Sequence, residues 1–164
     1  MGCDIHVMFE KFNDKTQAYE SMDPGVVEDD YGARHPFYWR SYNIFAFLAG
    51  VRNYSDITPI SDPRGVPSNT SFETQAELAG WGCDAHSESW LSIQELHEFD
   101  YNVILEDKRC TRKLSNGVIS GGCTCNPGEG VRQDYREYLG EYFFASLAVA
   151  TNAGVDRIVF WFDN

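Results

Sequence analysis

The sequence predicts a single α+β (or α/β) domain with a mixed central sheet that holds the first and last strands and is packed by a long C-terminal helix. Three features carry that expectation. Asp4-Ile5-His6-Val7-Met8-Phe9-Glu10 alternates polar and apolar side chains, the period of a half-buried strand. The chain closes on Arg157-Ile158-Val159-Phe160-Trp161-Phe162-Asp163-Asn164, an apolar run typical of the middle of a sheet, with the first strand as its obvious neighbour. Before it, Tyr135, Tyr138, Leu139, Tyr142, Phe143, Ser146, Leu147 and Ala150 form one stripe, which predicts a helix over 131–152 closed by Gly154. At 164 residues the chain suits one domain, 1–164, with a sizeable core.

Composition narrows the function classes. Apolar residues at 43% and aromatics at 15% exclude global disorder. A formal net charge of −12 repels duplex nucleic acid and argues against a basic membrane-surface role. No apolar run reaches spanning length, and the N-terminus lacks the basic and apolar regions of a signal peptide, so a cytoplasmic protein is expected. The five cysteines are an odd number, which argues against a disulfide framework. Cys110, Cys123 and Cys125 match no common zinc spacing, and free thiols are expected.

Taken in order, residues 3–12 read as the first strand. Segment 13–31 reads as an acidic loop insertion or irregular hairpin, with Asp14, Glu20, Asp23, Glu28, Asp29 and Asp30 against Lys15. The charge then reverses: Gly32 to Ser55 holds no acid but carries Arg34, Arg40 and Arg52 among many aromatics. Ser41 to Val51 predicts a largely buried helix ending near Gly50, with Arg52 and Asn53 at its C-terminal end, where the helix dipole favours a cation. A loop from Tyr54 to Ser68, stiffened by Pro59, Pro63 and Pro67, presents Arg64. Thr70 with Glu73, and Ser92 with Glu95, have capping-box spacing, predicting helices to about Gly80 and Phe99. Strands are expected over 101–106 and 109–120, the latter turning at Ser115-Asn116-Gly117, inside a hairpin and loop insertion at 107–130.

The chemistry concentrates in a near-repeat. Gly2-Cys3-Asp4-Ile5-His6 recurs as Gly82-Cys83-Asp84-Ala85-His86, the second copy placed in a loop between helices. Asp-x-His on a strand offers a carboxylate and an imidazole from one face. The two copies are expected to converge, so that Asp4, His6, Asp84 and His86 could hold a divalent transition metal for hydrolysis of a phosphodiester. Set against this is a plain solvated strand face, repeated by coincidence. A nucleophile elbow, a phosphate loop and a dinucleotide fingerprint are all missing, so the residues lean away from an enzyme.

The leading expectation is therefore a pocket without cofactor that captures a small anionic, nucleotide-like ligand. Arg52 and Arg64 would hold phosphates, and Trp81 and Trp90 would stack on a base. Asp4, His6, Glu10, Asn53, Asp84, His86, Ser87 and Ser89 would take hydroxyls and ring nitrogens. A third reading is an acidic mimic whose surface inhibits a basic host protein. Whether the chain forms a homo-oligomer is left open.

Several blocks resemble a family of proteins encoded mostly by tailed bacteriophages. These open with Met-Gly-x-Asp-Ile-His, as at Met1 to His6, and carry Phe-Ala-x-Leu-Ala-x-Val-Arg-Asn, as at Phe45 to Asn53. A Pro-Ile-x-x-Pro-Arg-Gly loop (Pro59 to Gly65), Trp-Gly-x-Asp-x-His-Ser-x-Ser-Trp (Trp81 to Trp90) and a closing Phe-x-Phe-Asp-Asn (Phe160 to Asn164) follow. The resemblance implies a viral origin and action in the host cytoplasm, and brings no activity with it. With it, the leading expectation becomes a counter-defence protein that sequesters a nucleotide-derived signal.

Overall fold

In chain order the elements are β1 (Asp4–Asn13), β2 (Ala18–Met22), β3 (Val27–Asp29), β4 (Gly32–Arg34), α1 (Tyr42–Ala49), α2 (Phe72–Trp81), β5 (His86–Ser92), α3 (Ile93–Glu98), β6 (Ile104–Asp107), β7 (Arg109–Lys113), β8 (Ile119–Thr124), β9 (Val131–Asp134), α4 (Tyr135–Leu139), α5 (Glu141–Ala153) and β10 (Arg157–Asp163). The structure, a computed structural model, describes residues 2–30, 32–113 and 119–164, with backbone alone within 110–123. The expected turn at Ser115-Asn116-Gly117 and the side chains of Cys110 and Cys123 lie outside that description.

The central sheet has the order β2-β1-β10-β5, so the first and last strands are neighbours as expected. Every pairing in it is antiparallel, which corrects the expectation of a mixed sheet. The reason is connectivity: β1 returns through a tight turn to β2, and β10 enters between strands that both run against it. Strand β10 shows no alternation because both its faces are covered, and Ile158 to Phe162 are all buried.

One face of the sheet carries Ile5, Phe9, Leu91, Ile158, Phe160 and Phe162 into the main core. Helix α1 closes over it, with every residue from Ile44 to Ala49 buried. Ser41 caps its start, and Gly50 at φ 69° closes it in the left-handed conformation, as the sequence suggested. Phe47 is the hub, with ring contacts to Phe99, Tyr101, Tyr135 and Phe143. A fully buried phenylalanine of this kind contributes about 1.5–3 kcal/mol.

The expected single helix over 131–152 is three elements. Val131–Asp134 pairs with β6 as strand β9, Tyr135–Leu139 forms α4 under an Asp134 cap, and α5 begins only at Glu141. The break falls at Gly140 (φ 74°, ψ 172°), a conformation open essentially to glycine alone. Helix α5 still supplies the apolar face that the stripe foretold, through Phe143, Leu147 and Ala150.

The other face of the sheet bears Glu10, Arg157, Trp161 and Trp90, with α2 lying over its β2 side. The cap of α2 is Ser71, whose hydroxyl accepts the Thr74 N–H. The expected Thr70–Glu73 box does not form because the Thr70 hydroxyl is bonded to Glu10. The Ser92–Glu95 box forms as expected. One loop expectation is corrected: residues 86–92 are the edge strand β5, because they pair with β10 from far along the chain. Segment 13–31 takes the hairpin form of its expectation, with β2 folding back on β1 and β3 pairing with β4.

Candidate functional site

Because β1 begins where β10 ends, Asp4 stands opposite Asp163 and His6 opposite Trp161. His6 Nε2 lies 3.2 Å from Asp163 Oδ2, while Asp163 Oδ1 accepts the Asp4 N–H at 3.1 Å. The ring of Trp81, last residue of α2, sits 3.9 Å from that of His6, with Trp161 at 5.8 Å. Arg40 grips Asp4 through two guanidinium nitrogens and holds its carboxyl below the usual range. This corner is a closed set of ion pairs and stacked rings.

Beside it, on the side of the buried Cys3, the electrostatics differ. Burial pushes the Cys3 thiol up, and Arg52 pulls it back down. Arg52 follows the Gly50 cap in the left-handed region (φ 51°). Its Nη2 donates to Asn164 Oδ1 at 2.8 Å, and its guanidinium carbon is 6.0 Å from the Tyr42 ring. Arg109, at the start of β7, reaches the same ring. Its guanidinium carbon lies 5.4 Å from the Tyr42 ring and 5.7 Å from the Tyr54 ring. The two tyrosine rings are 6.0 Å apart, and Tyr54 is 43% exposed.

Arg34, Arg40, Arg64 and Arg157 each have a carboxylate partner. Among the described residues, no ion pair involves Arg52 or Arg109. Two guanidinium groups thus stack on the half-buried Tyr42 and the exposed Tyr54 without a carboxylate partner among the described residues, in a chain of net charge −12. Such a platform can accept an anion attached to a flat ring.

The remaining predicted residues are distributed elsewhere. Glu10 is fully buried: one carboxylate oxygen accepts from the Thr70 hydroxyl, the Ser71 N–H and the Thr74 hydroxyl, the other from Arg157. Burial pushes its carboxyl up, but those donors and Arg157 outweigh it and hold the group below its ordinary value. Arg64 is paired with Glu95 at 2.7 Å and lies over Trp90, and its N–H is accepted by the Ser89 hydroxyl. Asn53 bonds both backbone groups of Ile57, shaping the loop. Asp84 is exposed in a single 3-10 turn.

The two Gly-Cys-Asp-x-His copies do not converge at their histidines. His6 stacks towards Trp161 and His86 towards Phe162, consecutive residues of β10 that point to opposite faces. A bulge in the β10–β5 register and the left-handed Ser87 (φ 54°) turn the second copy over. His86 Nδ1 is satisfied by the Ser87 hydroxyl at 3.0 Å. Among the described residues, no group of three or more histidine, cysteine, aspartate or glutamate side chains gathers to hold a metal. Asp4, His6, Asp84 and His86 are therefore not brought together as a metal site.

Of the predicted set, Arg52 stands on the platform, while Arg64 is neutralised. Arg109, Tyr42 and Tyr54 were missed as ligand residues. Tyr42 and Tyr54 lie in the acid-free aromatic window, which was the available signal, and Arg109 had none, since only tertiary structure brings it there. Comparison with models of known families, with curated proteins and with solved structures finds no match to this chain. Among the described residues, no helix is long and apolar enough to cross a membrane.

Proposed function

We propose that this chain binds a small anionic ligand bearing a flat ring, of the nucleotide class, at Arg52, Arg109, Tyr42 and Tyr54, and holds it intact. The observation that carries the reading is the pair of arginines stacked on tyrosines with no carboxylate partner among the described residues. Arg34, Arg40, Arg64 and Arg157 are paired with acids, whereas this pair shares the Tyr42 ring without one, which favours an anion from outside. Phosphate oxygens would take the guanidinium N–H groups, and a base would share the tyrosine faces. The likeness to tailed-phage proteins extends the proposal to a setting: sequestration of a nucleotide-derived signal in the host cytoplasm as counter-defence.

The test is calorimetric titration with a panel of cyclic and ADP-ribose-type nucleotides, followed by chromatography of the ligand released by heating. Binding with recovery of the unaltered nucleotide is the expected result. Recovery of a cleaved product, abolished by a chelator, would replace capture by metal-dependent hydrolysis.

A further inference from the structure

A concave surface that shares no residue with the arginine platform lies between the β3–β4 ribbon and the start of α5. Its cavity of about 500 Å³ is lined by Glu28, Asp30 and Glu141 together with Arg34, Trp39 and Tyr142. The molecule itself shows what this surface accepts. The Arg34 guanidinium lies 4.5 Å from the Trp39 ring and 4.7 Å from the Tyr142 ring, and it pairs with Asp29. A planar cation against two aromatic faces with a carboxylate at its edge is the full recognition geometry for an arginine side chain.

That internal arginine leaves much of the surface open. Trp39 remains 51% exposed. Glu28, Asp30 and Glu141 have no basic side chain within ion-pair distance among the described residues. Exposed tryptophan is among the residue types that anchor protein interfaces, and a concave site gives it a rim.

We infer that this face docks an arginine-bearing, basic segment of another protein. The incoming guanidinium would lie on the open part of Trp39, and Glu28, Asp30 and Glu141 would take its N–H groups. Charge complementarity selects the occupant: three uncompensated carboxylates beside an indole repel nucleic acid and nucleotides and attract a cation. The arginine geometry already built into the site favours a planar guanidinium over an ammonium. This surface does not depend on the nucleotide reading, because it shares no residue with the platform at Arg52 and Arg109.

The probe is a short capped peptide of alternating arginine and glycine, titrated into the full chain by calorimetry and tryptophan fluorescence at low and raised salt. Saturable binding that weakens with salt is expected, and the paired variant Glu28→Gln/Asp30→Asn should weaken it at least tenfold. Glu98→Gln, which removes an exposed acid on α3, should leave it unchanged. Trp39→Ala, checked for folding by circular dichroism, should lose the fluorescence response and most of the affinity. Any of three results would overturn the inference: no saturable binding, equal losses in Glu98→Gln and the paired variant, or spermidine binding as tightly as the peptide. The last would make the face a small-polycation site. Nucleotide binding can be present or absent in any of these cases, so the two readings fail separately.

Discussion

Replacing Glu10 by glutamine should unfold the protein far more readily than an isosteric change suggests. The glutamate is fully buried, and both of its oxygens are used: three donors reach one, and Arg157 reaches the other at 2.7–2.8 Å. Glutamine keeps the shape but removes the charge, and its amide must present N–H either to the Thr70, Ser71 and Thr74 donors or to the guanidinium. Arg157 is itself only 4% exposed and keeps neutral partners alone: Asn69 and the Tyr19 and Trp90 rings, among the described residues. Removing one partner of a buried pair costs about 3–5 kcal/mol because it strands the other charge. For a domain of this size that is a fall in Tm of about 10 °C. Urea denaturation gives the loss directly, provided the slope is unchanged. Glu10→Leu with Arg157→Leu should be less destabilising than the sum of the single changes, because neither charge is left alone. A loss below about 1 kcal/mol for Glu10→Gln, or strict additivity in the double variant, would refute the idea that this pair ties α2 to the sheet.

Acid should act through the same group. Glu10, Glu95 and Asp4 all have carboxyls held below their ordinary values, so the stability they contribute is fully present above the usual carboxylate range. It is lost as the pH falls through their depressed folded-state values, and urea midpoints should drop in that window, with a smaller drop in Glu10→Gln. Gly140→Ala should cost about 1–3 kcal/mol although nothing stands within 4 Å of the added carbon, since the penalty comes from the backbone conformation; thermal melts check it. Adding EDTA should change neither the Tm nor ligand binding, because Asp4, His6, Asp84 and His86 do not meet; a shift in either would reinstate the metal reading.

The parts of this fold legible in the sequence are those whose cause is local. The Gly50 and Gly154 stops and the Ser92–Glu95 box each rest on a few consecutive residues. The unbroken apolar run of β10 announced a strand covered on both faces. What escaped depends on distant partners. Glu10 looks like a ligand-facing carboxylate until Thr70, Ser71, Thr74 and Arg157 arrive from elsewhere in the chain. Thr70 looks like a helix cap for the same reason. The polar run His86-Ser87-Glu88-Ser89 reads as a loop because an edge strand with a bulge need not alternate. Its near-identity to the first copy of the motif suggested one shared site, yet one left-handed serine reverses the face. Within the candidate site, Arg52 was legible as a cation at a helix end. Arg64 looked equivalent, and only the structure reveals Glu95 beside it.

That contrast supplies the most direct test of ligand capture. The same nucleotide should be titrated by calorimetry into the unaltered chain, into Arg109→Ala and into Arg64→Ala, each first shown to be folded. Arg109→Ala should weaken binding about tenfold or more, the usual consequence of losing a charge-assisted contact, and Arg64→Ala should bind as the unaltered chain does. Loss of binding in Arg64→Ala with Arg109→Ala unaffected would contradict the assignment of the site to the tyrosine platform.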